Sequence, residues 1–127
     1  MITWFEKHYK ISWVMTIFIA GFIFYISSLT FSGGGGGGGI NKAVIYHIAI
    51  FLFLSLFLLI SMVKGKNKSL IYIAIILAVI YAVLDEIHQS FVPGRNPSIK
   101  DIGLNSIGIF LASTFYLIRL RFKHIYE

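Results

Sequence analysis

The chain has 127 residues, of which 57% are apolar and 13% charged, whereas a soluble domain is about half apolar and about a quarter charged. The apolar residues fall in four long runs, and these 127 residues leave no length for a separate soluble domain. The net charge of +6 does not indicate nucleic-acid binding, because the basic residues lie between and beyond the apolar runs. The lack of cysteine excludes disulfide and thiolate chemistry.

The four runs predict the transmembrane helices of an all-α bundle. Runs of about 17–25 apolar residues match a hydrocarbon core about 30 Å thick, and a helix satisfies its own backbone in lipid. We predict a single membrane domain over residues 1–127, with spans at about 11–31, 40–63, 69–89 and 99–118. The first run is as long as the others, so we expect a retained helix and not a signal peptide.

The distribution of lysine and arginine predicts the topology. With an even number of spans between them, the two terminal segments and the second loop share one side. That side carries eight basic residues, which are Lys7, Lys10, Lys64, Lys66, Lys68, Arg119, Arg121 and Lys123. The other side carries three, which are Lys42, Arg95 and Lys100. The positive-inside rule therefore places both termini in the cytoplasm.

The first outer loop, residues 32–39, contains seven consecutive glycines. Such a tract is a flexible coil without side-chain chemistry. It is not typical of a phosphate-binding loop, because no Lys-Ser/Thr pair follows it.

The third run is too short to cross the membrane without polar residues. Fifteen apolar residues from Leu70 to Leu84 span only about 22 Å as a helix. About five more residues complete a span of about 30 Å, and these are Asp85, Glu86, Ile87, His88 and Gln89. Ionisable groups at such a depth face a bundle interior or a cavity and indicate function by default.

Helical spacing places Asp85, His88 and Gln89 on one face, with Tyr81 one turn below. Alanines at 74, 78 and 82 form a small-residue stripe typical of close helix packing in lipid. The polar face is therefore expected to border a helix–helix seam.

The segment after the third run predicts a turn and a new helix. Pro93-Gly94 suits a tight turn. Ser98 is a candidate N-cap, and Asp101 three residues later completes a capping-box-like pattern.

Three spans and one loop bring polar residues to a similar depth near the outer leaflet. His47 lies about 10 Å below the outer end of the second span, and Asn105 lies at a similar depth in the fourth. Asp101 starts the fourth span, and Arg95 can fold back from the loop. We expect these residues to meet Asp85 and its neighbours.

This stretch resembles the signature of the VanZ-like family, a group of small prokaryotic membrane proteins named for one associated with teicoplanin resistance. The pattern Asp-Glu-x-His-Gln-x-Phe-x-Pro-x-Arg, followed by Asp and then Asn, fits Asp85, Glu86, His88, Gln89, Phe91, Pro93, Arg95, Asp101 and Asn105. Lys42 with His47 resembles a Lys-x-x-x-His segment of the family with a longer spacing, and Ser27-Ser28 resembles its Ser-rich first-span end. The expected proline after that end is replaced by the glycine tract. The resemblance implies action in the cell envelope and reduced glycopeptide sensitivity.

Each candidate residue also has a structural interpretation. Asp85 could form an ion pair with His88 or Arg95, and Glu86, about 100° around the helix, could simply be solvated. Asp101 could only cap its helix, and Arg95 could tie down the loop. Asn105 could form a hydrogen bond between helices, and His47 could do the same or serve in packing. Gln89 could form a hydrogen bond at its helix end, and His88 could be a structural histidine.

Two functions fit this cluster best. In the first, Arg95 holds an anionic headgroup, with Gln89, Asp101, Asn105 and His47 completing the binding site. Asp85, Glu86 and His88 are then catalytic, hydrolysing or transferring a group on a lipid or lipid-linked precursor. In the second, the protein is a non-catalytic accessory or antibiotic-binding protein whose cluster is a headgroup clamp or structural network.

A metal site and a small channel or transporter are less favoured. Asp-Glu-x-His is not a zinc-binding spacing, and no acidic residue lies at mid-membrane, where coupling sites are usual. We therefore expect neither metal nor cofactor. The expected partner is a membrane lipid or lipid-linked precursor and not a nucleic acid, in the plasma membrane. The sequence leaves open both catalysis and the formation of a homo-oligomer.

Overall fold

The computed structural model describes residues 1–30 and 42–126, with side chains through Lys123. Over these residues the protein consists of helices and has no strand. The helices are α1 (Ile2–Lys7), α2 (Tyr9–Ser27), α3 (Lys42–Val63), α4 (Leu70–Ser90) and α5 (Ile99–Tyr126). Helices α2 to α5 are long and apolar enough to cross a membrane, which confirms the all-α, four-span fold. The predicted glycine loop lies outside the described residues.

The helix ends differ from the predicted spans at two places. Helix α2 ends at Ser27, short of residue 31, where the backbone N–H of Ser28 donates to the carbonyls of Phe24 and Tyr25. Helix α5 continues past residue 118 to Tyr126. Hydropathy missed this extension, and missed α1, because both contain charged residues that face a partner inside the protein.

Helix α3 is the centre of the bundle and contacts the other four helices. Its closest neighbour is α5, and Gly108 makes that approach possible. A Cβ atom at Gly108 would lie only 2.3 Å from the backbone oxygen of Ile48. The two backbones therefore meet as closely as helices in membranes do at small residues.

The core combines large side chains of α3 with the alanines of α4. Phe51, Leu59 and Ile60 are almost fully buried. The predicted stripe of Ala74, Ala78 and Ala82 is buried as well, which confirms the seam. The opposite faces of the helices expose many large apolar side chains, as expected of a surface covered by lipid.

A buried carboxylate holds the two terminal segments together at one end of the bundle. Glu6 of α1 is 5% exposed. It accepts hydrogen bonds from Tyr116, at 2.8 Å, and from Arg119, and it lies 3.7 Å from the ammonium of Lys123. Both ends of the described chain therefore lie on the same side. We call these four residues the Glu6 cluster.

Candidate functional site

The predicted site residues lie at the opposite end of the bundle, which we call the polar end and which carries Ser27, Asp85 and Ser98. The structure sorts them into three groups of contacts. One joins α4 to α2, a second joins the end of α4 to the start of α5, and the third joins α3 to α5.

Asp85 is held between α4 and α2. Its side chain is buried, and its two oxygens accept hydrogen bonds from Ser27 Oγ at 2.6 Å and from Gln89 Nε2 at 3.0 Å. Gln89 Nε2 also lies 3.3 Å from Ser27 Oγ. In the described part of the chain, this carboxylate therefore has a hydroxyl and an amide as partners, and the ion pair with His88 or Arg95 is not formed.

His88 contacts the next serine of α2. Its Nε2 lies 2.9 Å from Ser28 Oγ, and its ring stacks on Phe24 with the centroids 4.4 Å apart. The Ser28 hydroxyl donates its proton to the carbonyl of Phe24 at 2.7 Å. With this hydroxyl directed at Phe24, the contact with Nε2 is typical of a structural histidine that holds α4 against α2.

Arg95 folds back onto the end of α2. Its Nε donates to the carbonyl of Leu29 at 2.9 Å and its Nη2 to that of Ile26 at 2.6 Å. The turn that allows this has a φ of +80° at Gly94, closed by the N–H of Arg95 donating to the carbonyl of Val92. The predicted Pro-Gly turn and the loop-tying role of Arg95 are both present.

Glu86 connects α4 to the start of α5. It is 4% exposed, so the solvated alternative is wrong. Its Oε2 accepts the backbone N–H of Ser98 at 2.9 Å, while Ser98 Oγ accepts the N–H of Lys100 at 3.2 Å. Ser98 is thus the N-cap, as predicted. The capping-box role assigned to Asp101 is wrong, because Glu86 reaches across and takes its place.

Asp101 faces α3 instead. His47 Nδ1 and Asn105 Oδ1 are 2.9 Å apart, and His47 Nε2 lies 3.9 Å from Asp101 Oδ2. Asn105 is fully buried. The predicted meeting of His47 with Asn105 is therefore found, and it holds the half of α3 that is nearer the polar end against α5.

Three buried polar atoms at the polar end have no hydrogen-bond partner among the described residues. They are Tyr46 Oη, Glu86 Oε1 and Asn105 Nδ2. A buried polar atom left unpaired costs about 1–3 kcal/mol, so such atoms are rare unless water or a ligand satisfies them. Tyr46 immediately precedes His47 on α3, and Asp85 and Arg95 are near enough to act on it electrostatically.

The sequence analysis overlooked one residue of this arrangement and assigned no contact to two others. Tyr46 lies in an apolar run, where a tyrosine carries no polar signal of its own. Ser27 and Ser28 were noted only through the family resemblance. A search for hydroxyl residues at the depth of Asp85 would have found all three. Among the described residues, no three of the His, Cys, Asp and Glu side chains are arranged to hold a metal ion, so the metal alternative gains no support.

The chain was compared with known proteins. A model of the VanZ/LLP1 family matches residues 5–120. No curated protein and no solved structure matches the chain. The family match covers α2 to α4, the loop with Arg95 and most of α5, and so includes every residue of the polar end described above.

Proposed function

This chain belongs to the VanZ/LLP1 family, and we propose that it is a cell-envelope membrane protein that binds an anionic lipid or lipid-linked precursor at the polar end of its bundle. We place this end at the outer leaflet of the plasma membrane and both termini in the cytoplasm. Support comes from the excess of basic residues at the end that carries the Glu6 cluster. The contact between α1 and α5 supports a shared side for the two termini.

The three unpaired atoms of Tyr46, Glu86 and Asn105 carry this proposal. The hydroxyl and the amide are donors suited to the oxygens of a phosphate or carboxylate, and the glutamate oxygen is an acceptor suited to a headgroup hydroxyl. Burying such groups at a membrane boundary without partners is unfavourable, so a bound headgroup offers the compensation. Arg95 near Tyr46 adds positive charge.

The geometry supports binding better than catalysis. General acid–base chemistry needs paired groups within hydrogen-bond reach. Here Asp85 is bonded to Ser27 and Gln89, Glu86 to a backbone N–H, and His88 to Ser28. Among the described residues, no carboxylate contacts the His88 imidazole. The headgroup clamp is therefore the preferred form of the proposal.

Titration of the purified protein with phosphatidylglycerol, monitored by native mass spectrometry, tests headgroup binding. Phosphatidylcholine with the same acyl chains is the comparison, because it lacks both the net negative charge and the hydroxyls. We expect phosphatidylglycerol to bind more tightly. Tyr46→Phe should weaken its binding by about 1 kcal/mol, or about fivefold in Kd, for one hydrogen bond.

Tyr72→Phe is the matched control, because Tyr72 is 74% exposed on the face of α4 turned away from the core. Equal affinity for the two lipids, or equal loss in the two tyrosine variants, would overturn headgroup binding. A lipid product that forms with the wild type and disappears with His88→Gln would replace the clamp by a reaction.

Topology can be tested by cysteine labelling, because the chain has no native cysteine. Asn96→Cys in the exposed loop after α4 should react with a membrane-impermeant maleimide added to intact cells, and Lys66→Cys should not. The reverse pattern would place the polar end in the cytoplasm.

We further propose that headgroup binding lowers sensitivity to the glycopeptide teicoplanin, as the family resemblance implies. Expression in a susceptible bacterium should raise the minimal inhibitory concentration of teicoplanin. Tyr46→Phe should raise it less than Tyr72→Phe at matched expression. An unchanged value for the wild type would remove this consequence and leave lipid binding untouched.

A further inference from the structure

An apolar groove of about 310 Å³ lies between α2 and α4. Ala20 forms part of one wall, Leu77 and Leu84 part of the other, and Leu54 and Leu58 of α3 lie against both. Along α4 the lining residues run from 77 to 84, or about 10 Å. The groove is thus elongated along α4 and has room for a segment of one hydrocarbon chain.

The polar atoms of the lining are already satisfied within the protein. The lining has two hydroxyl residues, Thr16 and Tyr81. The Thr16 hydroxyl donates to the carbonyl of Ser12 at 2.9 Å, and that of Tyr81 donates to the carbonyl of Ala20 at 2.6 Å. A water molecule in a cavity needs two to four polar partners. The groove therefore suits an apolar occupant and not water.

The groove opens towards the membrane, and its wall on α4 ends at Leu84, the residue before Asp85. Leu77, Ile80 and Leu84 are 43%, 49% and 54% exposed on helices that cross the membrane. Lipid chains are the medium in contact with such side chains. Tyr81, which is also in the lining, lies one turn before Asp85 on α4.

We propose that this groove is a lateral binding site for one fatty acyl chain of an anionic phospholipid, which enters between α2 and α4. The inference rests on the proposed function, because the same lipid would then place its headgroup beside Tyr46. A narrow slot fits an unbranched chain better than a polyisoprenoid, whose methyl branches need a wider bore. The site would thus select for tail as well as headgroup.

Native mass spectrometry with lysophosphatidylglycerol, which has one acyl chain, tests the slot. The wild type should bind one molecule. Ala20→Leu fills the slot from α2 and should weaken binding by about tenfold. Leu77→Trp fills it from α4 and should act in the same direction, which guards against misfolding of either variant. Ile76→Trp is the control, because Ile76 is 57% exposed and outside the lining.

The outcomes separate the two proposals. Weakening by Ala20→Leu and Leu77→Trp, without weakening by Tyr46→Phe, supports the slot and overturns the headgroup site. Weakening by Tyr46→Phe alone overturns the slot. Tighter binding of undecaprenyl phosphate than of lysophosphatidylglycerol overturns the choice of an acyl chain. An equal loss in Ile76→Trp would also overturn the slot, because the effect would not depend on the groove.

Discussion

Replacing Gly108 with alanine is expected to separate α5 from α3. The added Cβ would lie 2.3 Å from the backbone oxygen of Ile48 and 2.9 Å from the backbone nitrogen of Leu52. Ordinary van der Waals contact begins at 3.4 Å, so the two backbones would have to move apart by about 1 Å, and such overpacking costs about 1–3 kcal/mol. Both nearest atoms belong to the backbone, so no side-chain rotation can relieve the contact.

The same displacement should reach the polar end. Asn105 lies one turn from Gly108 on α5, and His47 immediately precedes Ile48 on α3. Stretching the 2.9 Å contact between His47 and Asn105 by about 1 Å takes it outside the range of a hydrogen bond. Gly108→Ala should therefore weaken phosphatidylglycerol binding as well as stability, although it touches no headgroup.

Thermal unfolding in detergent, followed by tryptophan fluorescence and size-exclusion chromatography, measures the first effect. Gly103→Ala is the control, because a Cβ there meets no atom within 4 Å. That substitution should be neutral or stabilise α5 by up to about 1 kcal/mol through helix propensity. A Gly108→Ala protein as stable as Gly103→Ala would refute the close approach of α3 and α5.

Three further substitutions test other contacts. Gly65→Ala should lower stability by about 1–3 kcal/mol in thermal unfolding. The reason is that Gly65 has a φ of +68° and that the added Cβ would lie 2.7 Å from Glu6 Oε2. An unchanged unfolding midpoint would contradict this. Ser27→Ala removes the donor to Asp85 and should cost about 1–3 kcal/mol. Ser106→Ala is its control, because the Ser106 hydroxyl bonds within its own helix, and its stability should stay within about 0.5 kcal/mol of the wild type. Equal losses of stability in Ser27→Ala and Ser106→Ala would contradict the Asp85 contact. Glu6→Gln removes the carboxylate shared by two basic side chains of α5, so trypsin should cut the N-terminal segment several-fold faster, and an unchanged rate would show that α1 is held by packing alone.

The sequence predicted the four spans, because they follow from the length of the apolar runs. The shortness of the run from Leu70 to Leu84 predicted that Asp85 and Glu86 face the interior of the bundle, and both are buried. The partners of these groups could not be predicted. Whether Asp85 faces Ser27 or His47 depends on how each helix is rotated about its axis. Hydropathy carries no information on that rotation when a helix is apolar on all sides.

Local patterns failed where a more distant residue competed for the same atom. The Ser98–Asp101 spacing matched a capping box, but Glu86, twelve residues before Ser98, takes the N–H that the pattern assigned to Asp101. Asp101 is then left to face His47. Spacing alone cannot predict which carboxylate accepts the N–H of Ser98, because Glu86 and Asp101 both have suitable chemistry. The choice depends on how α4 packs against α5.

Arg95 has a structural role at the end of α2. The last carbonyls of α2 lack helical partners, and at a membrane boundary they are costly to leave unpaired. A guanidinium can bond to such a carbonyl and is favoured at the negative end of the helix dipole. Arg95 bonds in this way to Ile26, in the last turn of α2, and also to Leu29 just beyond the end of the helix. Loss of function in Arg95→Ala would therefore reflect a released helix end as readily as a lost headgroup contact. The headgroup site is better probed at Tyr46, whose hydroxyl bonds to none of the described residues.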